Sequence, residues 1–487
     1  MYRLVLYYLL VLFVAALLFG ALGLLPYAPL SLLWSGLVLL AGAWVTNAFF
    51  AWAFDAVTNL ESVYITPLIL TLILTPVAFS DFSGSVTLAL IAAVAMASKY
   101  LFAIRKKHLF NPAALAVAFS GLVLGVYASW WVAGNIPLLP FIFIGGIMVV
   151  HKLRKVDLVL AFGITAIVVA AFRSIDPLSG IWAMFLHSAL FFFAFVMLTE
   201  PLTMPPTRRL RVIYGVLVGV LFVPGIQIGS VYFSPELALL AGNLFVYFAS
   251  PKGRYMLSFV ERRALANGIY EYLFESDRRL LFKPGQYLEW TLGAVPLDNR
   301  GNRRFFTVAS APEDSLVALG VRFYDKPSAF KCTLAELPAG AKISVTSLAG
   351  DFTMPRDTEK KLAFLAGGIG VTPFASMARH SLAAGESRDA TLLYACKTAD
   401  EIAYRNIFVD ATRVGWRTVY ALADELLPGT HHGFIDAELI KKELPDYAER
   451  LFYVSGPPKM VDAMKAMLLT LGVSRFNIKT DFFPGLA

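Results

Sequence analysis

The stretch "FLAGGIGVTPFASM", residues 364–377, runs from an apolar strand through a glycine loop into the start of a helix. Gly367, Gly368 and Gly370 remove side chains where one backbone has to approach another group. Thr372-Pro373 opens the helix, a position that tolerates proline's missing N–H. The N–H groups at such a helix start attract an anion, a pyrophosphate above all. A single glycine loop also serves as a plain turn. Here the pattern returns in "LFYVSGPPKMVDAM", residues 451–464, with Ser455, Gly456, Pro457 and Pro458 between a second apolar strand and a second helix. Two such units predict strand–helix alternation in an α/β sheet.

Outward from there the composition divides. Of 487 residues 58% are hydrophobic and 16% charged, against about 25% charged in a typical soluble chain. Charges are scarce over 1–250 and reach ordinary density beyond Pro251, so the boundary falls near "SPKGRYMLSFVERR". The net charge is +8, with much of the excess in short loops between apolar runs. That pattern points to a membrane face and away from nucleic acid. Cys332 and Cys396 are the only cysteines, too few for a four-cysteine iron–sulfur cluster or a cysteine-based zinc site, and no metal site is expected.

A spanning helix needs roughly 20 apolar residues. Candidate runs are 4–25, 32–54, 63–79, 86–104, 111–128, 136–150, 157–172, 181–199, 212–229 and 236–249, about ten in all. The first is longer than a signal-peptide core and is expected to be retained. "RKKH", "HKLRK" and "TRRLR" fall on one side, whereas the loops at 25–30, 80–85, 130–135 and 230–236 hold no lysine or arginine. Arg173 is the basic residue near an outer loop, and the acidic loop at 55–61 breaks the pattern. The positive-inside rule then predicts a multi-pass inner-membrane protein with both termini cytoplasmic.

His108, His151 and His187 lie in or beside this half. The plain reading of His108 and His151 is that they extend the basic edge. Stacked transmembrane haems need paired histidines, and no run here carries two. "SKYLFAIRKKHLFNPAALAVAF" and "FVMLTEPLTMPPTRRLRVIYGVLVGVL" instead resemble the flavin-carrying membrane subunits of the Na⁺-pumping quinone reductase and Rnf complexes, the NqrB/RnfD family, with Glu200 where aspartate is usual. The resemblance implies a cofactor pocket framed by His108, Asn111, Thr199 and Glu200, and a second position near His187 and Ser188. In that family a threonine nine residues before the Thr-Asp-Pro segment carries covalent FMN. Leu190 stands there and has no hydroxyl to esterify. The implied flavin, FMN or riboflavin, is therefore held non-covalently.

In the second half, short alternating strands give way to strand–helix alternation, predicting a small barrel followed by an α/β sheet. "FKPGQYLEW", "RRFFTVASAP", "LAGDFTMP", the two glycine blocks and the ending "TDFFPGLA" together resemble the ferredoxin–NADP⁺ reductase superfamily. Strand alternation places Arg304 and Phe306 on one side. The resemblance implies that Arg304 meets the FAD pyrophosphate, that Phe305, Phe306, Thr307, Val308, Ser310, Lys326, Ser328 and Phe352 border the FAD, and that Met460 joins the nucleotide loops. It gives Thr307, Ser455 and Phe483 catalytic places, the last shielding the flavin face beside Phe482. NADH or NADPH is the implied donor, and the strand before Lys397 and Arg405 offers few basic residues for a 2′-phosphate.

The expected architecture is a polytopic α-helical domain over 1–250, an FAD-binding β-barrel over 255–355 and an NAD(P)-binding α/β domain over 360–487. The expected function is a flavoprotein oxidoreductase in the lipid bilayer passing electrons from NAD(P)H through FAD to a membrane cofactor, then to a quinone or an extracytoplasmic acceptor. The alternative is a membrane-anchored reductase serving a separate soluble partner.

Overall fold

The computed structural model describes residues 2–54, 60–104, 107–250, 255–292 and 303–481. The chain forms two units, Met1–Ser250 and Pro251–Ala487.

The N-terminal unit is helical: α1 Tyr2–Ala21, α2 Pro29–Ala53, α3 Leu60–Ile73, α4 Phe82–Leu101, α5 Pro112–Val123, α6 Leu139–Leu153, α7 Val156–Arg173, α8 Pro177–His187, α9 Leu190–Phe192, α10 Arg208–Phe222 and α11 Pro235–Ala249. Two-residue ladders, β1 Ala103–Ile104 with β2 Lys107–His108 and β3 Gln227–Ile228 with β4 Val231–Tyr232, interrupt them. Prolines stand in the first turns of α2, α5, α8 and α11, and Asn111, Asp176 and Ser234 cap the last three of these. Every expected apolar run contains helix, but their lengths differ from the expectation of about ten spans. Among the described residues five helices are long and apolar enough to cross a membrane, or six if the bent pair 177–187 and 190–197 counts as one. At 1.5 Å per residue, the 12 residues of α5 reach only about 18 Å. α5 begins at the Asn111 cap and ends just before Gly125, which has φ +68°.

Close packing of α10 on α7 needs glycine. A Cβ on Gly215 would lie 2.9 Å from the Leu158 carbonyl oxygen, and one on Gly219 2.8 Å from that of Phe162. Small residues four apart let the two backbones touch. Arg211 pairs with Asp157 at 2.8 Å on the same seam.

The C-terminal unit begins with a six-stranded antiparallel sheet, in order β8-β7-β10-β5-β6-β9. Its strands are β5 Tyr255–Ala266, β6 Ile269–Ser276, β7 Tyr287–Thr291, β8 Arg303–Thr307, β9 Val317–Arg322 and β10 Lys342–Ala349. Ala309 N–H donates to the Ala318 carbonyl, and Ala318 N–H donates to Ser310 Oγ, joining the two outer strands beyond β8. A second sheet, order β14-β13-β12-β11-β15-β16, is parallel throughout. It comprises β11 Leu362–Gly367, β12 Ala390–Cys396, β13 Trp416–Leu422, β14 His431–His432, β15 Leu451–Ser455 and β16 Ile478–Thr480. β11 is buried along its whole length; Leu362, Phe364 and Ala366 join one core, Ala363 and Leu365 another. Both faces are covered, as a parallel sheet requires. Helix α13, Thr372–Ala384, packs on the first core, and α15, Ala437–Glu443, with α16, Pro458–Thr470, on the second.

Arg450, 7% exposed, donates to both oxygens of Asp389 at 2.8 and 3.1 Å and to both of Asp446 at 2.6 and 3.1 Å. Those bonds hold the Asp446 carboxyl down at about 2. A depressed carboxyl contributes stability that is complete above its unfolded value near 3.9 and is lost as pH falls through the folded one. Arg450→Met removes two bonds from each carboxylate and one from the buried Leu362 carbonyl, leaving Asp446 only its pair with Lys361, and the expected loss is about 2 kcal/mol at neutral pH. The variant's stability should also fall less between about pH 4 and pH 2. Denaturant unfolding across that range checks both.

Candidate functional site

β11 lies between β12 and β15, so the chain leaves β11 in one direction and later returns on its other side. The crevice outside the carboxyl ends of β11 and β15 is thus the switch point where such sheets bind ligands. Both glycine blocks end there. Gly370 lies so close to the second loop that a Cβ would be 2.6 Å from Gly456 Cα and 2.7 Å from Gly456 N. A Cβ on Gly367 would meet Met460 Sδ at 2.2 Å. Gly368 has φ +52°, which suits glycine, and its open side faces Arg322 Nη1 at 3.4 Å from the added Cβ. Thr372 Oγ1 donates to the Ile369 carbonyl at 2.8 Å, closing the turn that starts α13, with Pro373 next in the helix. Ser455 is buried and donates to Asp481 at 3.3 Å; Pro457 caps α16 and Pro458 begins it.

Arg322 escaped the reading of the sequence. It ends β9 and makes a two-pronged pair with Glu401, beside the glycine loop. That pairing raises the guanidinium's pKa, so the charge is fixed. An arginine closing a strand just ahead of an aromatic pair, Phe323-Tyr324, was the available signal. Cys396, at the end of β12, is inert by contrast, because burial pushes its thiol up to about 11.

In the barrel, Arg304 lies 5.6 Å over the Phe330 ring and Phe306 lies 5.7 Å from the same ring, so the two share a side as alternation requires. Phe305 points the other way, edge-on to Tyr287 at 5.7 Å. Thr307 and Val308 are buried at the strand end. Ser328 caps the short helix α12, Ala329–Ala335, and Lys326 is exposed in the preceding loop. Two further residues expected beside the FAD also make contacts within the protein. Ser310 is consumed by barrel closure and accepts at its carbonyl from Ser376 at 2.7 Å. Phe352 is buried between Phe374 and Tyr453, with centroids 5.7 and 5.2 Å away. Phe482 and Phe483 lie outside the described residues.

Residues 364–466 match the family model described as oxidoreductase NAD-binding domain. That segment is an oxidoreductase nucleotide-binding domain. The chain is 25% identical over 228 residues to the flavohemoprotein of Halalkalibacterium halodurans, covering 44% of this chain and 55% of that one. It is 29% identical over 191 residues to an aromatic O-demethylase reductase subunit of Amycolatopsis, covering 38% and 55%. To the NADH oxidoreductase HCR of Escherichia coli it is 29% identical over 188 residues, again 38% and 55%. The chain thus spans about half the length of these relatives.

The matched segment contains the side-chain-free crevice between the two glycine loops, and in the preceding sheet Arg304 and Phe306 share one side of β8. Arg304→Ala is expected to leave the purified chain with less than about a tenth of its FAD, since a two-pronged arginine contact has no substitute in alanine. Flavin-to-protein absorbance, beside an unchanged thermal melt, measures it.

A second polar site lies within the N-terminal unit. Two motifs distant in the chain meet there: His108 Nε2 is 2.9 Å from Glu200 Oε1, 92 residues away, and Thr203 Oγ1 donates to the other carboxylate oxygen at 3.1 Å. The plain reading of His108 as part of a basic edge is corrected by that contact, while His151 remains exposed in the last turn of α6. Asn111 caps α5 by accepting from Ala114 N–H at 3.0 Å, and its own N–H donates to Asn243 at 2.9 Å. Its Nδ2 reaches the Met197 carbonyl at 3.5 Å, in the π-helical turn Phe193–Met197. Thr199 Oγ1 donates to Phe195 of that turn at 2.7 Å. A π-turn misaligns carbonyls along a helix, and here side chains satisfy them. Asn111, Thr199 and Glu200 line one cavity with Ser62, Thr66 and apolar residues including Val5, Ile65 and Leu153. His187 and Ser188 are not in it. Ser188 sits in the 63° break after α8, bonded to Met184 and Leu190, and His187 is exposed.

Proposed function

We propose that the chain is a flavoprotein oxidoreductase of the cytoplasmic membrane that carries electrons from NAD(P)H, through FAD, to a carrier in the N-terminal unit and on to a quinone or an extracytoplasmic acceptor. The observation that supports the second half of this path is the cavity where the Asn111 and Glu200 motifs converge. Both motifs break helices in an apolar bundle, and irregular backbone of that kind is retained where it lines a site. In this reading all ten helical runs belong to the bilayer, the short ones packed inside, with both termini cytoplasmic. FAD, when bound, takes a hydride and gives up electrons singly.

The chain's own groups divide the work. Gly367, Gly368 and Gly370 admit the dinucleotide backbone, and Thr372 holds the helix start toward it. Arg304 clamps the FAD pyrophosphate while Phe306 and Thr307 border its ring. His108, Asn111, Thr199 and Glu200 hold a flavin, FMN or riboflavin, by non-covalent contacts, Leu190 having no hydroxyl to attach one. NADH is favoured as the donor, since Lys397 and Arg405 are exposed and form no basic cluster.

The Amycolatopsis relative is called a reductase subunit, and that favours a second reading, in which the helical unit anchors a reductase for a separate electron partner. Flavin content separates the two. Full-length protein in detergent should yield well over one flavin per chain after acid extraction, with no fluorescent band on a denaturing gel. FAD alone, with no saturable quinone binding, supports the anchor, and a fluorescent band contradicts non-covalent binding.

A further inference from the structure

We propose that Lys99 is the fixed charge that stabilises the reduced form of a flat, carbonyl-bearing redox ring in the cavity of the N-terminal unit. The proposal rests on the carrier reading above. The ring's source is a bound flavin or a quinone headgroup, which share this chemistry.

Lys99 is a lone cation near the end of α4, within an otherwise apolar run. Its Nζ donates to the Ser62 carbonyl at 3.0 Å, to Ser62 Oγ at 3.1 Å and to Thr66 Oγ1 at 3.0 Å. An ammonium has three donors, and α3 takes all three, so the charge is held in place. These three direct acceptors are hydroxyls and a carbonyl, none of which carries a charge. Ser62 and Thr66 form one wall of the cavity, with Asn111, Thr199 and Glu200 on the rest of its polar lining. Glu200 lies within the field of Lys99, and its carboxylate is already engaged by His108 and Thr203. In the first turns of α1 and α3, Arg3 and Glu61 pair with each other at 3.4 Å.

Keeping a cation among apolar helices is costly, and such groups mark functional positions. Here the gain comes when an electron reaches the ring ahead of any proton. The electron originates from NAD(P)H by way of FAD. It adds one negative charge to the ring; no bond forms or breaks at Lys99, and the ammonium keeps its proton. Among apolar helices that charge is stabilised by a preorganised cation. Lys99 is thus a positioning residue for charge, acting across the wall that Ser62 and Thr66 make.

The test is a redox titration of full-length protein in detergent, followed optically, on wild type, Lys99→Gln and Lys99→Arg. Glutamine keeps donors for Ser62 and Thr66 but removes the charge. Lys99→Gln should weaken the reduced form about tenfold relative to the oxidised one, moving the non-FAD transition about 59 mV more negative for one electron. Lys99→Arg should stay near wild type. If acid extraction gives more than one flavin per chain, the ring is the flavin. If it gives one, the titration is repeated with added menadione, and saturable binding identifies the quinone. A ring that binds with an unshifted potential in Lys99→Gln overturns the role of Lys99 alone. Should Lys99→Gln fail to fold, a shifted potential in Lys99→Arg overturns it equally. Neither a second flavin nor saturable menadione binding in wild type removes the carrier reading together with this one.

Discussion

Gly370→Val is expected to lower NAD(P)H-driven flavin reduction at least about 100-fold, while FAD stays bound and an artificial reductant such as dithionite still bleaches it. The added Cβ would stand 2.6 Å from Gly456 Cα and 2.7 Å from both Gly456 N and the Ser455 carbonyl carbon. Those are backbone atoms held by paired strands, Ala366 opposite Ser455 in register, so neither loop has a soft side chain to yield. The loops must part by about an ångström at the place where the dinucleotide would lie, and a misplacement of that size costs about 100-fold in rate. The barrel, which holds Arg304 and Phe306, has no residue among those three contacts. Rapid-mixing absorbance after NADH addition measures the effect. Wild-type bleaching would falsify the assignment of this crevice.

Asn111→Leu is expected to abolish acceptor reduction through the N-terminal unit, while NADH still reduces FAD at the wild-type rate. Leucine removes the cap on α5, worth about 1 kcal/mol. It also removes the amide that reaches the Met197 carbonyl in the π-turn. Asn111 is 3% exposed and lines the cavity, so an apolar branch replaces a polar wall group there. The backbone N–H bond to Asn243 survives, which favours a folded variant. NADH-to-quinone turnover in proteoliposomes, beside single-turnover FAD reduction, separates the two steps. Unaltered quinone turnover would return Asn111 to an ordinary helix cap.

Much of the second unit was legible because its signals are local. A glycine triplet before Thr-Pro, a second loop of Ser-Gly-Pro-Pro and strands of period two or full burial each declare themselves within about 15 residues. Ser310 and Phe352 are harder to read from the sequence for the opposite reason. Whether a hydroxyl or a ring faces a ligand or a neighbouring strand depends on Ala318, Ser376, Phe374 and Tyr453, all distant in the chain. Arg322 was missed because its partner Glu401 is 79 residues away. In the helical unit, Lys99 and Asn243 were passed over inside apolar runs, where a single polar residue barely alters a window's hydropathy.

The amino-acid sequence by itself determined the division near residue 250, the helical character of the first half, the α/β alternation of the second and the places of its glycine loops. Composition, period and turn chemistry are properties of short segments, and they act before any long-range contact forms. Only the tertiary structure decided which helices are long enough to span and how far apart the glycine loops stand. Only it brought His108 onto Glu200 and set Lys99 against the cavity wall through Ser62 and Thr66. Each of those is a contact between segments tens of residues apart, and its geometry follows from how helices and strands pack, which no local pattern encodes.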